Sequence, residues 1–235
     1  MTAGGSPADE LLAIYDELER IHAWRGWHWW PDADPFEVVV GSILVQNTSW
    51  TNVERALERL RAAKALDPPV MAALSDEKLE ELVRPSGQYR QKARKLRAFL
   101  ATAERHGGFE ALMALPAEKL RAECLATWGI GPETADCIVA YAARQPAFVM
   151  DAYTARLFSR LGLGPGESAG YDAWQRFLVG GIRDSRFTIH DSAALRDLYC
   201  RYHALIVMHC KHTCRKRAPK CGECSLAIRC PAATR

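Results

Sequence analysis

The sequence contains no run of 18 apolar residues, which argues against a membrane-spanning helix. Its opening residues, Met1-Thr2-Ala3-Gly4-Gly5, lack the charged stretch and apolar stretch of a secretory leader. A soluble cytoplasmic protein is therefore expected, with no membrane partner. No segment sustains apolar–polar alternation between turn signals, and no internal repeat or low-complexity tract is present, so the fold class expected is all-α. Charge of one sign is also scarce: the net charge is only +3, and any affinity for nucleic acid must come from how the cations are grouped. What is present is 235 residues, 49% of them hydrophobic, enough for a sizeable core in one large domain or two small ones.

The apolar residues fall at helical spacing. Residues 8–22 read as an amphipathic helix with Leu11, Leu12, Tyr15, Leu18 and Ile21 on one face. Four of the seven tryptophans follow within seven residues, at Trp24, Trp27, Trp29 and Trp30. Asp34-Pro35 is a helix start, and Phe36, Val39, Val40, Ile43 and Leu44 make that helix apolar nearly all round, hence central. It ends in the polar turn Gln46-Asn47-Thr48-Ser49, where Ser49 can cap a helix with Trp50, Val53, Leu57 and Leu60 on one face. A short helix near Ser75 stops at Pro85, and Gly87-Gln88-Tyr89 leads into a long one with Leu96, Phe99, Leu100 and Ala103. Trp174, Phe177 and Leu178, then Leu195, Leu198, Tyr199, Tyr202 and Ile206, mark two more.

The chain is organised around residues 120–160. A helix over 117–125, with Leu120, Cys124 and Leu125 at helical spacing, meets the turn Trp128-Gly129-Ile130-Gly131-Pro132. Pro132 then opens a second helix, where its missing N–H is no loss, and Thr134, Ala135, Ile138, Val139 and Ala142 form its apolar stripe. Two helices joined by Gly-x-Gly let backbone N–H groups approach a phosphate, and the positive end of the second helix favours the anion. Eighteen residues beyond Gly131, Val149-Met150-Asp151 opens an amphipathic helix carrying Arg156 and Arg160 and closing on Leu161-Gly162.

Four of the eight cysteines, Cys214, Cys221, Cys224 and Cys230, crowd into the last 22 residues with the spacing C-x6-C-x2-C-x5-C. Four thiolates so placed can close around one tetrahedral zinc or one iron–sulfur cluster, and spacing alone does not separate the two. The other four, Cys124, Cys137, Cys200 and Cys210, sit within helical patterns and read as buried small hydrophobes. Lys211, Arg215, Lys216, Arg217 and Lys220 surround the cluster and form a candidate phosphate-contacting patch.

Gly129, Gly131, Thr134 and Ala135, followed by Asp151, Arg156, Arg160, Leu161 and Gly162, resemble the helix-hairpin-helix DNA glycosylases of the endonuclease III superfamily. The resemblance runs from about Gln46 to Cys230. It implies a six-helix barrel domain over residues 28–145 and an iron–sulfur cluster domain over 1–27 and 146–235, with a cleft between them. It implies that Asp151 is the catalytic carboxylate, that Gln46 fills the gap left by an extruded base, and that Cys214, Cys221, Cys224 and Cys230 hold a [4Fe–4S] cluster. The partner it implies is double-stranded DNA containing a damaged base, bound by a monomer that is nucleoid-associated if bacterial, with Gly129, Gly131 and Thr134 at the DNA; Arg215, Lys216 and Arg217 of the basic patch are further candidate contacts.

Two positions depart from the family pattern. Gln88 stands where relatives carry the leucine that wedges between bases. Glu133 stands where bifunctional members carry a lysine whose amine attacks the sugar; a carboxylate cannot form an imine, so a monofunctional, hydrolytic enzyme is expected. The G-I-G-P-E-T-A-D run, Gln46 to Trp50, and Trp29-Trp30-Pro31 look most like the 3-methyladenine glycosylase branch, where aromatic residues sandwich the flipped base; this carries over to Trp29, Trp30 and Trp50. Oxidised pyrimidines as substrate, with or without lyase activity, and a non-catalytic DNA-binding module are the competing readings.

Overall fold

The computed structural model describes residues 6–22, 33–183 and 191–233. Among them every regular element is helical, so the fold is all-α, and no helix is long and apolar enough to cross a membrane. The first helix is α1, Pro7–His22. Then come α2 Pro35–Leu44, α3 Trp50–Ala62, α4 Pro68–Ala73, α5 Asp76–Val83, α6 Tyr89–Arg105, α7 Phe109–Met113, α8 Ala117–Ala126 and α9 Pro132–Cys137. Ile138–Ala142 continues α9 as a π turn. The chain ends with α10 Ala152–Arg160, α11 Tyr171–Arg183, α12 Ser192–His212 and two 3-10 turns, Cys221–Glu223 and Ser225–Arg229.

The contacts divide the chain into two compact units, Trp30–Ala147 and Met1–Trp29 together with Phe148–Arg235. The middle unit is built on α2. Asp34 caps it by accepting from the N–H groups of Phe36 and Glu37, and Pro35 occupies the first helical position. Phe36, Val38, Val39, Val40, Ile43 and Leu44 are all buried, as a helix apolar on every side requires. Phe36 and Phe99 meet the ring of Phe109 edge to face, at centroid distances of 5.3 and 6.4 Å. Ser49 precedes α3, but its side chain makes no capping bond.

In the other unit, α1, α10, α11 and α12 enclose Leu11, Ile14, Leu18, Phe148, Phe158, Trp174, Tyr202 and Ile206. The Tyr202 hydroxyl donates to the Leu11 carbonyl at 2.7 Å, which ties α12 to α1 although 191 residues separate them. Arg201 of α12 pairs with Glu19 of α1. The inward face of α1 corrects the sequence reading at one position: Ile14 is buried, while Ile21, one residue from the helix end, is 37% exposed. Leu125, at the end of α8, likewise faces outward. Cys124 and Cys210 are buried as expected, but Cys137 and Cys200 are only half-buried.

Candidate functional site

The hairpin between α8 and α9 is held from behind by α6. Gly129 has φ +81°, and a Cβ there would lie 2.6 Å from Cγ of Lys95, so glycine is required both by conformation and by space. The Lys95 stem fills that space and its ammonium donates to Oε1 of Gln46. Gln46 in turn donates through Nε2 to the Thr134 hydroxyl at 3.0 Å and to the Gly129 carbonyl at 3.3 Å. Both ends of this amide are therefore engaged, and Gln46 fastens the turn after α2 to both sides of the hairpin. Gly131 differs: its φ is −92°, open to any residue, and nothing lies within 4 Å of a Cβ built on it. That open space lies at the start of α9, the end of a helix that favours an anion.

Beside the hairpin, Trp128 is 43% exposed, with the Arg94 guanidinium 4.0 Å over its ring. Glu133 is exposed in the first turn of α9. Gln88 is exposed and left-handed, with φ +46°, directly after Gly87 at φ +68°. The buried Lys92 ammonium secures that turn from below by donating to the Ser86 carbonyl at 2.5 Å. Burial, and then the neighbouring Lys95, push the Lys92 ammonium down to about 8. Trp50 is half-buried at the start of α3. Trp29 and Trp30 lie outside the described residues.

Asp151 caps α10. Its Oδ1 accepts from the Thr154 N–H at 2.8 Å and from the Thr154 hydroxyl at 2.9 Å. Its Oδ2 faces Nε2 of His203 at 3.4 Å. Burial raises the carboxyl, but the bond and charge of His203 and the two Thr154 donors more than offset it, and the net shift is downward. Asp151 is therefore ionised at neutral pH, with 12% of its side chain still open to solvent. A held carboxylate of this kind can stabilise positive charge that develops on a neighbouring group.

The two arginines of α10 point at the cysteine loop. Nε of Arg156 donates to the Cys214 carbonyl at 3.2 Å. Arg160 spans the Cys214 carbonyl at 3.4 Å, Cys214 Sγ at 3.3 Å, the Arg215 carbonyl at 2.8 Å and the Lys216 carbonyl at 3.2 Å. Cys214, Cys221, Cys224 and Cys230 all line one pocket, with Leu157, Leu161 and Leu226 among its apolar walls. No disulfide joins them. The Cys210 thiol beside Cys214, and then Arg160, draw the Cys214 thiol below its ordinary value. Nε2 of His209 stands 3.5 Å from Cys224 Sγ, and His22 lies 3.2 Å from the other ring nitrogen of His209. Among the described residues no group of three or more His, Cys, Asp or Glu side chains is arranged to hold a metal ion, although the four cysteines line the same pocket. Arg215, Lys216 and Arg217 are exposed on the loop.

Residues 40–177 match the model of the HhH-GPD superfamily of base excision DNA repair proteins, a span that covers the hairpin and Asp151. The chain is 40% identical over 206 residues to "Putative DNA repair glycosylase MJ1434" of Methanocaldococcus jannaschii, covering 86% of this chain and 88% of the relative. It belongs to the HhH-GPD superfamily. Endonuclease III of Thermotoga maritima is 26% identical over 210 residues, with 85% of this chain and 84% of that one covered. Among solved structures, the 3-methyladenine DNA glycosylase MagIII of H. pylori, bound to 1,N6-ethenoadenine, has a TM-score of 0.72 at 30% identity and covers 88% of this chain and 98% of its own. The protein is accordingly a base excision repair glycosylase of this superfamily, with an all-α helix-hairpin-helix fold.

Within this superfamily member, the structure brings Gln46, Gly129 and Thr134 together in one hydrogen-bonded group. It leaves Gln88, Glu133 and Gly131 exposed. Three contributors escape the sequence reading: Lys95, which packs the hairpin, His203, which meets Asp151, and His209, which meets Cys224. The two histidines sit on α12 six residues apart, a spacing too loose to mark a shared face. Arg156 and Arg160 are visible in the sequence as neighbours at i, i+4 on one helix face, but the Cys214 carbonyl that both meet leaves no local trace.

Proposed function

We propose that this glycosylase removes a damaged base, by preference an alkylated purine, by hydrolysis, with Asp151 as the catalytic carboxylate. The observation that carries this reading is the state of Asp151: three donors hold it, its charge is favoured, and part of the side chain stays open. Cleavage of an N-glycosidic bond leaves an oxocarbenium-like sugar, and a fixed anion beside it lowers the barrier. Water then attacks, because the position after the hairpin glycines that holds a nucleophilic lysine in bifunctional relatives is Glu133. The alkylated-purine preference is supported by the 30% identity to MagIII, whose solved structure holds 1,N6-ethenoadenine. Endonuclease III as a relative supports the second reading, oxidised pyrimidines.

The DNA would meet the free backbone at Gly131 and the start of α9, with Gln88, Arg94 and Trp128 beside it and Arg215, Lys216 and Arg217 on the cysteine loop as phosphate contacts. Gln46 would fill the gap only by releasing Lys95 and Thr134, since both ends of its amide are occupied. Cys214, Cys221, Cys224 and Cys230 would hold a [4Fe–4S] cluster. Four cysteines lining one pocket can supply the one thiolate per iron that such a cluster takes, and the resemblance of their spacing to that of endonuclease III favours the cluster over zinc. When bound, such a cluster cross-links the loop and fixes its basic side chains; base removal itself calls for no electron carrier. The two units are proposed to act as a barrel domain and a cluster domain, and the protein as a monomer.

The reading is tested on a panel of duplexes, each carrying one lesion. Base release from the alkylated purines should leave intact strands that break only after alkali, and borohydride should trap little covalent complex, because trapping needs an imine. Efficient trapping by the unmodified protein would overturn the hydrolytic reading, and exclusive action on oxidised pyrimidines would overturn the substrate preference.

A further inference from the structure

Asp151 has two oxygens, and the local sequence accounts for the partners of only one. Thr154 supplies both donors to Oδ1 from within the first turn of α10. Oδ2 meets a residue 52 positions further along, Nε2 of His203 at 3.4 Å, on the inward side of α12 with only 2% of its surface exposed. The buried imidazole meets a partly buried carboxylate, a contact that is costly unless a hydrogen bond joins the two. The other groups around the carboxylate do not substitute for it. Tyr153 and Cys210 both feel the charge of Asp151 as a repulsive one, which raises their own protons, and Arg156 is turned to Tyr153 and to the cysteine loop.

We propose that His203 is a positioning residue for the reaction: its Nε2–H donates to Oδ2, fixes the carboxylate plane against rotation about the Thr154 anchor, and keeps Asp151 ionised in a buried place. This deepens, and rests on, the assignment of Asp151 as the catalytic carboxylate. The carboxylate accepts only, so Nε2 carries the hydrogen. Burial is the largest influence on Asp151 and it favours the protonated acid; without the His203 donor the two Thr154 bonds alone must resist it. An acid that is protonated cannot stabilise the sugar cation, and a carboxylate free to rotate presents its charge less well.

Two variants separate positioning from mere packing. His203→Asn keeps a side-chain N–H donor and does not titrate; His203→Leu keeps bulk and loses the donor. Single-turnover base release is followed from acid to neutral pH, with DNA affinity measured alongside. In His203→Leu the acid limb should move up by about one pH unit or more, with the neutral-pH rate reduced and DNA affinity unchanged. In His203→Asn the limb should stay near that of the parent and the rate should recover. A pH-independent loss in His203→Leu, or no recovery in His203→Asn, would overturn the proposal. Carbon-13 NMR titration of the Asp151 carboxyl, in the parent and in His203→Leu, reads the pairing without any turnover. An upward shift there supports the pair even if Asp151→Asn proves active, which would sink the catalytic assignment alone. No shift there contradicts the pair whatever the activity.

Discussion

Glycine is needed at Gly129 and free at Gly131, and this contrast gives the hairpin a test at single residues. Gly129→Ala places a methyl group against the Lys95 stem at a positive φ, so it should cost about 1–3 kcal/mol of stability and loosen the Lys95–Gln46–Thr134 group. Gly131→Ala meets neither obstacle and should fold as the parent does, yet weaken DNA binding, because its Cβ would occupy the space where a phosphate approaches. Thermal melts together with DNA titrations at one salt concentration check both; equal melting temperatures, or unchanged DNA affinity in Gly131→Ala, would contradict the division of labour. The pattern G-x-G is visible in the sequence, but not which glycine serves the fold and which serves the ligand. That distinction comes from Lys95, whose distance of 34 residues from Gly129 leaves no local trace.

At the scale of elements, α10 joins Asp151, the proposed catalytic acid, to the cysteine loop: Asp151 caps its start and Arg160 ends it against Cys214, Arg215 and Lys216. One guanidinium there makes four contacts, which a lysine ammonium cannot reproduce from a single point. Arg160→Lys should therefore leave the helices folded while the proposed [4Fe–4S] cluster, about four irons per chain in protein prepared without air, is lost faster on exposure to oxygen. Iron content and visible absorbance followed over time report this, and retention equal to the parent would show that Arg160 does not brace the loop. The start of α2 was legible at Asp34-Pro35, where a cap and a proline coincide and act within one turn; the same pair at Asp67-Pro68 opens α4, a short helix that the sequence reading did not name. Helix faces were legible less evenly. Ile21 is apolar and in register with Leu18, yet it lies where α1 runs out of partners and faces solvent, while Ile14 takes the inward place. Cys137 and Cys200 are likewise only half covered, since spacing reports a face but not how much another helix covers it.

For the whole molecule, the all-α class followed from the absence of strand patterning, and the hairpin with Asp151 followed from a motif whose spacing survives in one stretch of chain. The gathering of α1 with α10, α11 and α12 around one core did not, because the Tyr202 hydroxyl and the Leu11 carbonyl that meet there stand 191 positions apart. His203 and His209 ride on α12 into that core, one toward Asp151 and one toward Cys224. The central claim is that the charge of Asp151 carries base removal, and Asp151→Asn tests it most directly, since it keeps size and hydrogen bonding and removes only the charge. In single-turnover release from a duplex containing 1,N6-ethenoadenine or 3-methyladenine, the account predicts a fall of at least about 100-fold with DNA affinity kept or tightened. Release by Asp151→Asn at close to the parent rate would contradict it.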